Sequence, residues 1–206
     1  SMIPQPKLSS DKLFMLVVFL LARCCAVVRE KSDAIEMRAV ATVFNVMQLF
    51  GVNVPTDDTF MHRYWTTLGP VIYAPVGRGQ YDQHARVIAH EITHVVQLWR
   101  DGLGFIARYC TSKGRAELEA EAERAAIEVW WLLTGTLPES IDALSITRHG
   151  YALDESHARL TQDLLETACT SVARGVISTD VGIEVLTWLK QHAPDAIVGD
   201  VNAVRS

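Results

Sequence analysis

Apolar positions recur along this chain at helical intervals far more often than they alternate, and the breaks between periodic stretches fall at glycine, proline and capping residues. Over residues 13–28 only Arg23 interrupts an apolar run, a pattern shared by buried helices, signal cores and membrane segments. The run falls short of the roughly 20 apolar residues a bilayer requires. Arg23 also stands where a lipoprotein-type signal needs a small residue, so the run reads as a central buried helix. Asp33 and Glu36 have capping-box spacing and open a second core helix through Met37, Val40, Phe44 and Met47 to Gly51. A loop over 53–58 leads into a short helical stretch ending at Thr66. Residues 70–76 (PVIYAPV), β-branched and aromatic between flanking prolines, predict a short edge strand.

Four more helical segments follow. One is capped by Asp82 and runs to residue 100, where Gly102 and Gly104 break it. A second spans 115–134 and stops at Gly135. The last two cover 154–174, ending at Gly175, and 179–192, ending before Pro194. The expected class is α+β, mostly α, with a small sheet or edge strand and flanking helices. No repeat or linker signal divides the chain, so one domain is expected over 1–206, with a motif core at about 70–135 between helical flanks.

Composition narrows the function. An apolar fraction of 49% supplies a real core, and 19 basic against 24 acidic residues, a net charge of −5, offers no sequence-wide attraction for nucleic acid or anionic membranes. Cys24, Cys25, Cys110 and Cys169 form no Cys-x-x-Cys pair and read as reduced, mostly buried thiols. An intracellular site is the default expectation, with export or membrane association left open by the N-terminal run.

The chemistry lies in VIAHEITHVVQ. His90 and His94, four apart on a helix, share one face about a turn apart, so both imidazoles can reach one ion. Glu91 falls beside that ion, where it can take a proton from water and deliver one to a leaving amine. Val87, Ile88, Val95, Val96 and Trp99 make the surroundings apolar, so the polar trio needs partners. A helical wheel over residues 115–126 and beyond puts Leu118, Ala122, Ala125 and Val129 on a core stripe. Glu117, Glu121, Arg124 and Glu128 fall on a flank that looks solvated, and Glu119 and Glu123 on the other flank beside Ala126, Ile127 and Trp130. Glu119 is therefore the preferred third ligand, with Glu121 and Glu117 as alternatives. Glu123, one turn on, is placed to accept the second ring N–H of His90 or His94.

With these residues in view, the chain resembles the gluzincin group of zinc metallopeptidases, in which an HExxH helix gives two ligands and the base and a later helix gives a glutamate. HEITHVVQ followed by ELEAEAERAA is similar to compact bacterial and phage-type peptidase-like proteins, over about residues 73–133. Glu123 replaces the Asp or Asn more usual at its place. The resemblance implies a zincin-like core, a Zn2+ ion on His90, His94 and Glu119, Glu91 as general base, and a peptide or protein substrate added to an edge strand before the motif helix. It names no oxyanion donor. Tyr73, His149, Tyr151 and His157 are the candidates, while His62, His84 and His192 read as ordinary polar residues. Trp99, Trp130 and Trp131 are expected mostly to pack in the core. The competing class is a catalytically inactive zincin-like binding or scaffold module.

Overall fold

The computed structural model describes residues 6–49, 57–77, 84–137, 153–197 and 201–204. Within them the chain is mostly helical with small sheets, an α+β arrangement. The elements used below are α1 (Ser10–Arg23), β1 (Val27–Glu30), α2 (Ile35–Leu49), α3 (Asp57–His62), β2 (Thr66–Leu68), β3 (Val71–Ala74), α4 (Ala85–Asp101), α5 (Leu103–Tyr109), α6 (Ser112–Thr134), α7 (Glu155–Ala173), β4 (Val176–Ile177), α8 (Asp180–His192) and β5 (Asn202–Ala203).

Two long helices, α4 and α6, pack against each other, and helices from both ends of the chain close around them. The core stripe expected on α6 is buried as read: Leu118, Ala122, Ala125 and Val129 are all inaccessible. Against it and α4 sit Leu16, Val17 and Leu20 of α1 and Val181, Val185 and Leu189 of α8. Local caps bound these helices, with the expected ends at Asp154, Thr179 and Gly135 and a start at Ser112, three residues before the expected one. Thr111, Asp154 and Thr179 accept main-chain N–H groups at the starts of α6, α7 and α8, and Gly135 ends α6 at a φ of 75° that a side chain resists.

In the larger sheet β3 is central, with β1 parallel on one side and β2 antiparallel on the other. The PVIYAPV segment is thus not the edge strand it was expected to be. Its prolines lie just outside the paired residues Val71–Ala74, so neither removes an N–H from the ladder, and Pro70 contributes its carbonyl to Val27 N–H at 2.9 Å. β2 is the edge strand beside α4, and it begins at Thr66, where a helix was expected to end. Ile72 of β3, opposite Thr67 of β2, is buried with Ile88 and Ile92 of α4, which holds the sheet to the motif helix.

Other expectations shift in the same tertiary way. The N-terminal helix is buried on one face only: Phe14, Met15 and Val18 are exposed, and Val27 and Val28 belong to β1. No helix among the described residues is long and apolar enough to cross a membrane. Asp33 ends a 3-10 turn, α2 opens at Ile35, and Glu36 accepts the Tyr73 hydroxyl at 2.6 Å. Met37 is buried, whereas the side chains of Phe44 and Met47, like Asp82, lie outside the described residues. Gly102 ends α4, but Gly104 sits inside α5, a helix the glycines concealed. The thiols are free but not mostly buried, since Cys25 and Cys110 are exposed. Trp131 packs against the core and Trp99 stands exposed, its indole N–H donating to Cys24 O.

Glu128 is the largest departure. Expected on a solvated flank, it is fully buried, and its carboxylate accepts the main-chain N–H groups of Ser178 and Thr179, both at 3.0 Å, and Arg124 Nε at 3.1 Å. It therefore anchors the start of α8 to α6. A Cβ on Gly182 would lie 2.2 Å from Glu128 Oε2, so glycine permits that approach. Glu128→Ala strands one buried and one part-buried main-chain donor and a guanidinium, and we expect a loss of about 3 kcal/mol in urea unfolding, with Glu128→Gln losing less. A loss below about 0.5 kcal/mol for the alanine variant would mean the anchor is dispensable.

Candidate metal centre

His90 and His94 project from one face of α4, as their spacing demands, and Glu119 reaches them from α6. Their ligand atoms lie within 4.8 Å of one another, the one such group among the described residues. The two Nε2 atoms are 3.2 Å apart. Glu119 Oε2 is 3.2 Å from His90 Nε2, and Glu119 Oε1 is 3.5 Å from His94 Nε2. Two atoms each about 2.0–2.1 Å from a tetrahedral ion stand about 3.3–3.4 Å apart. These separations match that figure.

Outer hydrogen bonds decide which way each ring faces. His90 Nδ1 lies 3.3 Å from Glu123 Oε2, and Glu123 in turn pairs with Arg86. A carboxylate only accepts, so Nδ1 carries the hydrogen and Nε2 turns its lone pair inward. His94 Nδ1 lies 2.9 Å from Gln97 Oε1. The Gln97 amide nitrogen donates to Leu118 O at 2.9 Å and Glu121 Oε2 at 3.0 Å, which identifies its oxygen as the acceptor for His94. Both Nε2 lone pairs therefore face each other and a carboxylate. In a site where Glu119 is 2% exposed, such an arrangement calls for a proton on an imidazole or a metal ion between the groups. Of the two rings Glu123 was expected to serve, it meets His90. Gln97, which is fully buried, was missed.

Tyr109 was missed too. At the C-terminal end of α5 its hydroxyl donates to Glu119 Oε1 at 2.6 Å. Glu119 Oε2 is left buried without a hydrogen-bond partner, the oxygen a metal would use. The rings of Tyr109 and Phe105 flank His94 with centroids 6.2 and 6.3 Å away, so α5 forms one wall of the site. Gly114 allows the tight corner between α5 and α6, since a Cβ there would lie 2.1 Å from Arg108 O.

Glu91 is buried, and its Oε2 accepts the Thr67 hydroxyl at 2.6 Å. Near it is a second group the sequence did not flag. Lys31 is fully buried, donates to Phe60 O at 2.6 Å and lies 3.6 Å from the centre of the Phe60 ring. Burial lowers its pKa to about 8, against the upward pull of the Glu91 charge. The alternatives to Glu119 are turned elsewhere: Glu121 pairs with Arg100 and Gln97, and Glu117 with Arg108. Tyr73 is no oxyanion donor, since it points to Glu36 in a separate apolar cluster. His157 is held by Asp154 and Ser112 at the start of α7. His149 and Tyr151 lie outside the described residues.

Compared with protein families, curated proteins and solved structures, the chain matches none of them.

Electrostatics follows from the geometry. Burial works against charge on both imidazoles and is the largest single influence. Glu119 outweighs it, helped by Glu123 at His90 and by Glu91 at both rings, so both pKa values rise above 6.5. Glu119 is likewise held well below the carboxylate range by the two histidines despite its burial. Without metal, the protonated imidazoles thus stabilise the fold fully below pH 6.5, and that contribution fades as pH rises through their elevated pKa values. We expect the Tm of chelator-treated protein to fall as pH rises above neutrality, and one equivalent of Zn2+ to abolish the fall. Glu119→Gln should lower Zn2+ affinity at least about tenfold. Equal zinc content in wild type and this variant, by elemental analysis, would remove Glu119 from the ligand set.

Proposed function

We propose that this protein is a zinc-dependent metallopeptidase of the gluzincin kind, with a zincin-like core built on β2, α4 and α6. The observation that carries the reading is the meeting of His90 Nε2, His94 Nε2 and the Glu119 carboxylate, its two oxygens 3.2 and 3.5 Å from the rings, with a buried glutamate next to His90 in the chain that is not one of the three. Two imidazoles and one carboxylate form a borderline donor set that suits zinc, and three protein ligands leave one position open. A zinc ion held there supplies Lewis acidity, acidifying water and drawing charge from a substrate carbonyl.

The chain's own residues do the rest. Thr67 occupies Glu91 Oε2, so Oε1 is the atom left to accept a proton from water as its oxygen attacks the peptide carbon. The same Oε1 then returns that proton to the nitrogen as the C–N bond breaks. Glu123 and Gln97 keep the ligating rings in their required tautomers through both steps. Among the described residues β2 pairs with β3 on one side only, which leaves its outer edge for main-chain hydrogen bonds from an extended peptide lying along the motif helix.

Glu91→Gln tests the assignment, because the amide is isosteric yet cannot take up a proton. We expect its zinc content to match wild type while kcat for a mixed peptide pool drops by at least about a thousandfold. Zinc-loaded wild type that cleaves no peptide in the pool would instead favour a binding module on the same scaffold. Undiminished cleavage by Glu91→Gln would assign the base elsewhere.

A further inference from the structure

We propose that Thr67 is a positioning residue for Glu91, its hydroxyl aiming the carboxylate so that Oε1 alone faces the reacting water. The inference rests on the hydrolytic reading of the site and adds a residue to it. Thr67 Oγ1 lies 2.6 Å from Glu91 Oε2 and 3.4 Å from Glu91 O. An ionised carboxylate and a carbonyl only accept, so the single hydroxyl hydrogen is committed to Oε2, the much nearer atom. Among the described residues this is the one hydrogen bond to the Glu91 carboxylate.

A glutamate has three side-chain torsions, and burial alone does not choose among them. Thr67 can choose because its own position is fixed twice over. It is the middle residue of β2, paired opposite Ile72 of β3, and Ile72 is locked under Ile88 and Ile92 of the motif helix. The base is therefore referenced to the strand, not merely to its own helix. β2 is also one of the sheet's two edge strands among the described residues, so a segment pairing with it would stiffen the residue that orients the base. Thr67 touches neither metal ligand nor substrate atom in this account and acts through Glu91.

Thr67→Val keeps the β-branched shape and strand propensity while deleting the hydroxyl, Thr67→Ala deletes it by another route, and Thr67→Ser restores it. On zinc-loaded protein we expect Val and Ala variants to lose about 10- to 100-fold in kcat with KM within about twofold of wild type, and Ser to stay within about threefold. A second readout is independent of turnover. Acetohydroxamic acid binds a zinc centre with its proton directed at a neighbouring base, and its affinity by calorimetry should weaken about tenfold in the Val and Ala variants and not in Ser. Wild-type kcat and hydroxamate affinity in both hydroxyl-less variants would overturn the inference, as would a Ser variant as impaired as Val. If wild type cleaves no peptide but the hydroxamate pattern holds, the peptidase reading falls and the role of Thr67 stands. If peptides are cleaved and all three variants bind hydroxamate like wild type, the reverse follows.

Discussion

Two imidazole lone pairs and a carboxylate oxygen confront one another in a dry interior, and no arrangement of neutral protein groups makes that stable. The repulsion is relieved by a proton on an imidazole or by a metal ion. The raised histidine pKa values and the depressed Glu119 pKa are the direction the first remedy requires in the bare polypeptide. A metal ion is the stronger remedy, because it satisfies all three donors at once, whereas a proton on one ring satisfies a single pair of atoms. Much of the remaining architecture keeps the three groups from turning away. Packing of α4 on α6 fixes the helix faces, Glu123 and Gln97 fix the rings, and Tyr109 fixes one oxygen of Glu119.

The two histidines are not equivalent. His90 donates to a carboxylate that also pairs with Arg86, and His94 to a neutral amide whose nitrogen is held by Leu118 O and Glu121. A charged acceptor makes its imidazole the more basic ligand, and a neutral one mainly sets orientation. The neutral partner has its own logic. Glu119 already brings one negative charge to the site, and a second buried carboxylate behind His94 would need another compensating cation on that side. Glu121 takes up the Gln97 amide instead and meets its countercharge, Arg100, nearer the surface.

Periodicity made part of this legible. His90, His94 and Glu91 follow from 3.6 residues per turn, and Glu119 was separable from Glu117 and Glu121 because a helical wheel reports the two flanks of a helix. The same wheel misplaced Glu128, since it cannot know that α8 begins against that flank. Caps at Asp154 and Thr179 are local interactions, and the helix starts they mark are legible in the sequence, whereas the Thr111 cap starts α6 three residues before the periodic stretch suggests. Strand order was not local. The prolines around Val71–Ala74 suggested an edge because nothing in the sequence shows that they fall outside the pairing. Gln97 carried a signal that was passed over: a polar residue three after His94, in an otherwise apolar stretch of the same helix. Tyr109 and Thr67 carried none, because each meets its partner only through the fold.

Lys31 shows why the charge of the whole interior matters as well as the three ligands. Glu91, Glu119 and Glu123 are largely or wholly withdrawn from solvent, and their compensation within the protein comes from Arg86 beside Glu123 and from Lys31, whose field reaches Glu91. Lys31 remains a cation at neutral pH even though burial lowers its pKa to about 8, and the Phe60 carbonyl and ring hold it in place. Three carboxylates against two cations leave the bare site short of positive charge, the same imbalance that raises the pKa values of both histidines. A divalent ion reverses the imbalance. With an ion on His90, His94 and Glu119 the interior would carry excess positive charge, with Arg86 and Lys31 already in place beside two of the carboxylates and no need to move as the charge is taken up.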